Sequence, residues 1–260
     1  FMSWKELIGE FLGTFILVFI GCGSVACSVL IEGFGGLYTV ALIFGGGVSL
    51  AIYAVGSFSQ AHLNPAVSAG FVVNGNLSLK KLAAYSLSQL AGAWLGGCFL
   101  YLLFNGLIEQ FELSHGIVRG SEGSYHSAVM FGEFFPNPGF EKVLGVSWIK
   151  ACFMEGLGTF VLMLSILLII SVKAMKKIAP LLIGLTVTIL ICFIAPYTQG
   201  GFNPARDFGP RMVACFWGWG EAAFPSFPWS FLTVYILSPV VGACLASVLF
   251  RFGFTRGIKK

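Results

Sequence analysis

The chain has 260 residues, of which 57% are hydrophobic and 10% are charged. Soluble domains carry roughly 25% charged residues, so the composition excludes a soluble globular protein and predicts an integral membrane protein. The long unbroken apolar runs also exclude a membrane β-barrel, whose strands alternate apolar and polar residues. The net charge of +4 bears on membrane topology rather than on a nucleic-acid partner.

Six apolar segments are long enough, at about 20 residues each, to cross the ~30 Å hydrocarbon core of a bilayer. The first contains Glu10 and is long enough to span, so we expect a transmembrane helix there rather than a cleaved signal peptide. In chain order the six segments are approximately residues 7–29, 37–57, 82–105, 148–172, 178–196 and 229–252.

The tripeptide Asn-Pro-Ala occurs twice. Asparagine is a good helix N-cap because its side-chain oxygen accepts from the first free amides, and proline is tolerated at the first helical position. The apolar runs that follow, residues 67–73 and 208–217, are too short to span, since even ten residues give a helix of only about 15 Å, half the core thickness. We therefore expect two half-spanning re-entrant helices that meet at the midplane. The two copies are Asn64, Pro65, Ala66 and Asn203, Pro204, Ala205.

The two halves of the chain repeat. Glu-x-x-Gly-Thr-Phe begins at Glu10 and again at Glu155, 145 residues later, and the two tripeptides lie 139 residues apart. The halves, approximately residues 5–105 and 148–255, hold three spanning segments each. Because three is odd, the repeats are inverted in the membrane. The fold class is therefore an all-α membrane protein with six transmembrane helices and two re-entrant half-helices, one domain over residues 1–260 with an external loop at 106–147.

The distribution of Lys and Arg predicts the orientation. Cytoplasmic loops of membrane proteins carry an excess of Lys and Arg, and placing both termini in the cytoplasm puts ten of the 15 Lys and Arg on that side. The external loop instead holds five glutamates. The cytoplasmic ten are Lys5, Lys80, Lys81, Lys173, Lys176, Lys177, Arg251, Arg256, Lys259 and Lys260; the glutamates are Glu109, Glu112, Glu122, Glu133 and Glu141.

The loops before the two tripeptides predict a polar path through the membrane. Irregular backbone at membrane depth is tolerated only where it is buried in protein or lines a water-filled cavity. Each half-helix would point an N-terminus, with about +0.5 charge, at the midplane, and paired helix ends of this kind exclude protons and cations. The loop residues that we expect to line this path are Gln60, Ala61, His62, Gly201 and Phe202.

Arg206 directly follows the second tripeptide. An Arg at the bilayer centre is costly and rarely present without a role, so it is either a donor facing the path and a second positive barrier or an interfacial side chain near the external surface. Asp207 either pairs with Arg206 or complements the helix dipole from the first turn. His62 either packs within its loop or lines the cytoplasmic half of the path.

These features resemble the aquaporin family of membrane channels, and nearly the whole chain is covered. Within it the chain is most similar to the glycerol facilitators (aquaglyceroporins), through Asp207, Arg211, residues 115–120 and the Pro-Asn-Pro sequence at 136–138. The resemblance implies a homotetramer with one pore per subunit. It also implies that Glu10 and Glu155 support the two loops through hydrogen bonds, and a buried carboxylate without such partners would be costly.

The resemblance also implies a selectivity filter. The first three positions of this filter lie before the two Asn residues, at Phe44, Ile191 and Gly200. The fourth is Arg206, directly after the second tripeptide. Water-selective members typically carry a His where this chain has Ile191, and glycerol facilitators typically carry a Gly there and an aromatic at the position of Gly200. Phe44 and Ile191 would present an apolar wall to the carbon backbone of a solute, with Arg206 facing its hydroxyls. Gln60 and Gln199 stand where the family often has Gly, which suggests a structural role for both.

The sequence thus predicts a passive channel that conducts glycerol and water and excludes protons and ions. The alternatives are a channel chiefly for water or for another small neutral solute, and a secondary transporter, since inverted repeats with broken helices also build transporters. No catalytic motif is present, so we expect no enzyme. The seven cysteines show no metal-binding spacing, and we expect no metal and no cofactor. The expected location is the cell (plasma or inner) membrane, with the lipid bilayer as partner.

Overall fold

The computed structural model describes residues 3–225 and 229–254. Six of its helices are long and apolar enough to cross a membrane, and they agree with the six predicted segments. Two shorter helices, α3 and α8, follow the Asn-Pro-Ala tripeptides as predicted. In chain order the helices are α1 Trp4–Leu30, α2 Leu37–Val55, α3 Pro65–Asn74, α4 Leu79–His115, α5 Tyr125–Ala128, α6 Trp148–Ser171, α7 Ala179–Thr198, α8 Pro204–Ala214 and α9 Leu232–Phe254.

The third spanning helix is longer than predicted. We expected the third spanning segment to end near residue 105, but the helix α4 continues to His115, where Gly116 adopts a left-handed φ of 64° and caps it. The prediction was wrong because the end of an apolar run marks the edge of the membrane and not the end of a helix. The connecting segment therefore comprises residues 116–147, and it contains the short helix α5.

The packing of the helices follows the inverted repeat. In the first half α1 packs against α2 and α4, and in the second half α6 packs against α7 and α9. The half-helices cross between the halves, because α3 packs against α9 and α8 packs against α4. Each half-helix thus packs mainly against a helix of the other half, which brings the two Asn-Pro-Ala tripeptides together at the centre of the bundle. Three of the cytoplasmic cations in the predicted orientation, Arg256, Lys259 and Lys260, lie outside the described residues.

Helices α2 and α7, one from each half, pack backbone against backbone at a pair of glycines. A Cβ atom on Gly45 would collide with the carbonyl oxygen of Gly184, and a Cβ atom on Gly184 would collide with the carbonyl oxygen of Gly45. Backbones come this close in membrane bundles only where both residues are small. The pair therefore fixes the distance between the two halves of the chain.

Replacing Gly184 with leucine should therefore separate α2 from α7. Overpacking of a well-packed interior costs about 1–3 kcal/mol, and here the obstacle is backbone that has little room to move. We expect a lower midpoint of thermal unfolding in detergent and less folded protein. Gly46→Ala is the matched control, because a Cβ atom at Gly46 meets nothing within 4 Å. Equal midpoints for the two variants would contradict this account of the packing.

Candidate pore and selectivity filter

Asn64 and Asn203 cap the half-helices as predicted. The Oδ1 atom of Asn64 accepts from the amides of Ala66 and Val67 at 2.8 and 3.4 Å. The Oδ1 atom of Asn203 accepts from the amides of Ala205 and Arg206 at 3.0 and 3.2 Å. The proline that follows each Asn lies in the first turn, where its missing N–H group costs nothing. The N-termini of α3 and α8 therefore lie at the same central junction, each with a capping oxygen.

The two asparagines also join the halves of the chain. The Nδ2 atom of Asn64 donates to the carbonyl oxygen of Phe202, and the Nδ2 atom of Asn203 donates to that of Leu63, both at 2.8 Å. One N–H of each side-chain amide is used in this reciprocal bond. An NH₂ group has two donors, so each Asn keeps a second N–H for the cavity that both residues line.

Glu10 and Glu155 hold the loops that precede the tripeptides. Both carboxylates are fully buried. Glu10 accepts from the amides of His62 and Leu63 at 3.0 and 2.8 Å, and Glu155 accepts from the amides of Gly201 and Phe202 at 3.0 and 2.8 Å. A neighbouring hydroxyl completes each set, and Glu10 also accepts from Gln89. These bonds satisfy backbone donors that no helix could satisfy.

The backbone of the two loops repeats the same unusual conformation. Leu63 and Phe202, each immediately before its Asn, have φ values of 52° and 51°. Two residues earlier, Ala61 and Gly200 have φ values of 51° and 79°. Non-glycine residues rarely adopt positive φ, which costs about 1–3 kcal/mol and is found at functional sites. The carboxylates of Glu10 and Glu155 hold this strained backbone in place.

A cavity of about 840 Å³ runs along the loops to the junction of the half-helices. At one end it is lined by Tyr53, Lys176 and Lys177, and at the other by Phe44 and Arg206. The walls between them are mainly apolar side chains of α2, α6 and α7. All five loop residues that we expected to line a path do line this cavity: Gln60, Ala61, His62, Gly201 and Phe202.

Three of the four predicted filter residues meet at the Arg206 end of the cavity. The guanidinium carbon of Arg206 lies 5.1 Å from the centroid of the Phe44 ring, and Gly200 lines the cavity with them. Ile191 is buried but is not among the described residues that line the cavity, whereas Val187, one turn earlier on α7, is. Ile191 is as buried as Phe44 and Val187, and its place in the filter stays a prediction.

Arg206 is 2% exposed, which rules out an exposed interfacial side chain. Its partner is not Asp207 but Glu133 of the connecting segment, whose Oε1 atom contacts Nη2 of Arg206. Asp207 instead pairs with Arg211 one turn along α8, at 2.6 and 3.1 Å. The sequence interpretation missed Glu133 because we counted it among the solvated external glutamates. A glutamate three residues before the Pro-Asn-Pro sequence was the only available signal.

Gln60, Gln199 and His62 differ in their surroundings. Gln199 links the connecting segment to the second loop, since its Oε1 atom accepts from the amide of Phe134 at 2.7 Å. Gln60 is exposed at the cavity wall, so the equivalence that their positions suggested does not extend to their contacts. His62 is both packed and lining: its ring stacks on Phe71 at 4.3 Å, its Nδ1 lies 3.1 Å from the Ser68 hydroxyl, and it borders the cavity.

The structure has the fold of a membrane channel. The part of the chain that it describes contains six spanning helices, one half-helix from each half of the chain, and a cavity that reaches the junction of the two half-helices. Residues 1–250 match the major intrinsic protein (MIP) family, and the chain belongs to that family. It is 36% identical over 252 residues to the glycerol uptake facilitator protein of Pseudomonas aeruginosa, covering 95% of this chain and 87% of the relative. It is 33% identical over 253 residues to the propanediol uptake facilitator PduF of Citrobacter freundii, covering 95% and 91%.

A solved structure has the same architecture. The X-ray structure of the aquaglyceroporin from Plasmodium falciparum superposes with a TM-score of 0.82 at 28% sequence identity, covering 97% of each chain. The aquaglyceroporin resemblance inferred from Asp207, Arg211 and the Pro-Asn-Pro sequence is therefore confirmed.

Proposed function

We propose that this protein is a passive transmembrane channel that conducts glycerol and water and excludes protons and ions. The observation that carries the proposal is the cavity between the half-helices, which joins both Asn-Pro-Ala tripeptides to Arg206. Its mainly apolar walls suit the carbon backbone of a small polyol, and the loop carbonyls and Arg206 suit its hydroxyls. The names of the relatives from Pseudomonas aeruginosa and Citrobacter freundii support glycerol and propanediol as solutes.

The residues of the site have separate roles in this proposal. Asn64 and Asn203 cap the half-helices and offer one N–H each to the solute at the midplane. The positive ends of α3 and α8 oppose the entry of cations and protons. Phe44, Ile191, Gly200 and Arg206 form the narrow end of the path, and Val187 contributes to the wall beside it. Glu10, Glu155 and Asp207 support this arrangement from outside the lumen.

The assembly and orientation are part of the proposal. The chain forms a homotetramer in the lipid bilayer of the cell or inner membrane, with one pore per subunit. Both termini are cytoplasmic, so that Lys176 and Lys177 lie at the cytoplasmic end of the cavity and the connecting segment lies outside. The excess of Lys and Arg on the proposed cytoplasmic side supports this orientation.

A secondary transporter and an enzyme are both disfavoured. Coupled transport needs an ion site facing the path, and the carboxylates of Glu10 and Glu155 are committed to loop hydrogen bonds. The described residues contain no cluster of three or more His, Cys, Asp or Glu side chains that could hold a metal ion. We propose no cofactor and no catalytic activity.

Stopped-flow light scattering of proteoliposomes tests the proposal. The vesicles shrink in hypertonic sucrose as water leaves, and in hypertonic glycerol or 1,2-propanediol they reswell only if the solute enters. We expect fast shrinkage in sucrose and protein-dependent reswelling in glycerol. Fast shrinkage without reswelling in glycerol would show that the channel conducts water but not glycerol. Reswelling only in 1,2-propanediol would show that this diol, and not glycerol, is the conducted solute.

A matched pair of variants on α7 shows whether flux follows this cavity. Val187 lines the cavity, whereas Ile189, two residues further on, is 47% exposed on the outer face of the bundle. Val187→Trp should reduce the glycerol permeability at least about tenfold, since the bulky ring would occupy space in the cavity that Val187 lines. Ile189→Trp should leave the permeability close to that of the wild type. Equal effects of the two variants would contradict the proposed path.

A further inference from the structure

Glu133 is a fully buried carboxylate at the filter. Its Oε1 atom contacts Nη2 of Arg206, whose side chain is 3% exposed. The Nε and Nη1 atoms of Arg206 have no hydrogen-bond partner among the described residues. A buried charge that lacks a partner costs several kcal/mol, so the two side chains compensate each other. Arg206 therefore enters the filter as half of a neutral ion pair.

The connecting segment is held so that the side chain of Glu133 points inward. The backbone amide of Glu133 donates to Oδ1 of Asp207 at 2.7 Å, and its carbonyl oxygen accepts from Arg211 at 2.6 Å. The next amide, of Phe134, is held by Gln199. Gly201 of the second loop lies beside this side chain, since a Cβ atom there would be 3.4 Å from Cγ of Glu133. Three side chains of the second half thus position one residue of the connecting segment.

The charges around the proposed path are unequal without Glu133. Asp207 and Arg211 neutralise each other, and Glu155 is committed to the second loop. The N-termini of both half-helices contribute a positive potential, which opposes cations but attracts anions. Arg206 alone would add to that attraction. Among the described residues, Glu133 is the acid in contact with Arg206.

We propose that Glu133 is a specificity-determining residue that excludes anions from the channel by neutralising Arg206 at the filter. The N-termini of the half-helices α3 and α8 then exclude cations, and Glu133 excludes anions. The inference rests on the proposed function, because it takes the cavity beside Arg206 as the path of the solute. The proposal adds Glu133, a residue of the connecting segment, to the four filter positions inferred from the sequence.

The test measures nitrate and glycerol fluxes in the same proteoliposomes. Nitrate entry is followed as swelling in potassium nitrate with valinomycin, which lets potassium balance the charge. Glu133→Gln keeps the size of the side chain and removes its charge, which leaves Arg206 uncompensated. We expect the ratio of nitrate to glycerol permeability to rise at least about tenfold, since a unit charge a few ångströms from the path is worth more than 1.4 kcal/mol at an effective dielectric constant of about 20.

Two further variants separate charge from structure. Glu122→Gln removes a glutamate of the same segment that is exposed, and it should leave the ratio unchanged. Glu133→Gln combined with Arg206→Gln removes both charges, and the ratio should return toward that of the wild type. A purely structural role of Glu133 predicts loss of glycerol flux in Glu133→Gln with no gain for nitrate, and that result would overturn the inference.

The pH dependence of nitrate entry tests the charge of Glu133 rather than its shape. Glu133 faces Arg206, Asp207 and Arg211 of α8 and Glu155 of α6. Burial raises the pKa of the Glu133 carboxyl, and the charge of Arg206 acts against that rise. The raised pKa, about 8, places the titration in the alkaline range, so lowering the pH through about 8 should protonate Glu133 and increase nitrate entry in the wild type but not in Glu133→Gln. A wild type that conducts no glycerol refutes the proposed function, whereas glycerol flux with an unchanged nitrate ratio in Glu133→Gln refutes only this inference.

Discussion

Replacing Glu10 with leucine is expected to abolish both water and glycerol flux. The change removes the acceptor for the amides of His62 and Leu63 and for the side chains of Ser59 and Gln89. Each buried donor left unsatisfied costs about 1–3 kcal/mol, and the loop also loses the restraint on its positive-φ backbone. The permeability of proteoliposomes and the unfolding midpoint in detergent measure the two effects separately.

Glu10→Gln should fall between the wild type and Glu10→Leu. The amide keeps one acceptor oxygen, but its NH₂ group meets donors where the carboxylate accepted them. Glu109→Leu, at an exposed position on α4, controls for the loss of a charged side chain. Flux through Glu10→Leu at the level of the wild type would show that the first loop holds its conformation without the carboxylate.

Arg211→Leu is expected to destabilise the protein about as strongly as Glu10→Leu. The guanidinium is fully buried and donates to the carboxylate of Asp207 and to the carbonyl oxygens of Glu133 and Ala223. Removing one partner of a buried ion pair leaves an uncompensated charge and costs about 3–5 kcal/mol. We expect a large fall in the unfolding midpoint in detergent, together with loss of the anchor that positions Glu133.

The double variant Arg211→Leu with Asp207→Asn should recover part of the lost stability, because it removes the orphaned charge as well. Lys142→Leu is the control, since Lys142 is an exposed cation of the connecting segment. If the double variant were no more stable than Arg211→Leu, the carbonyl contacts of Arg211 rather than its pairing with Asp207 would account for its effect.

Local signals in the sequence were sufficient for much of the fold. Apolar length gave the six spanning helices, and the Asn-Pro pairs gave the starts of α3 and α8, because a cap depends on residues only two or three positions away. The odd number of spans in each half predicted the inverted repeat. The end of α4 was predicted wrongly, since a helix that leaves the membrane can continue in polar sequence as far as Gly116.

The sequence by itself determined which residues are forced into the interior: Glu10 and Glu155 stand within runs, and Asn64 and Asn203 beside runs, that are too apolar to lie outside a membrane. Only the tertiary structure decided their partners. The fold buries Arg206 and pairs it with Glu133, and it pairs Asp207 with Arg211. The physical reason is that a buried charge needs some partner, which composition predicts, whereas the packing of distant segments sets which partner comes within reach.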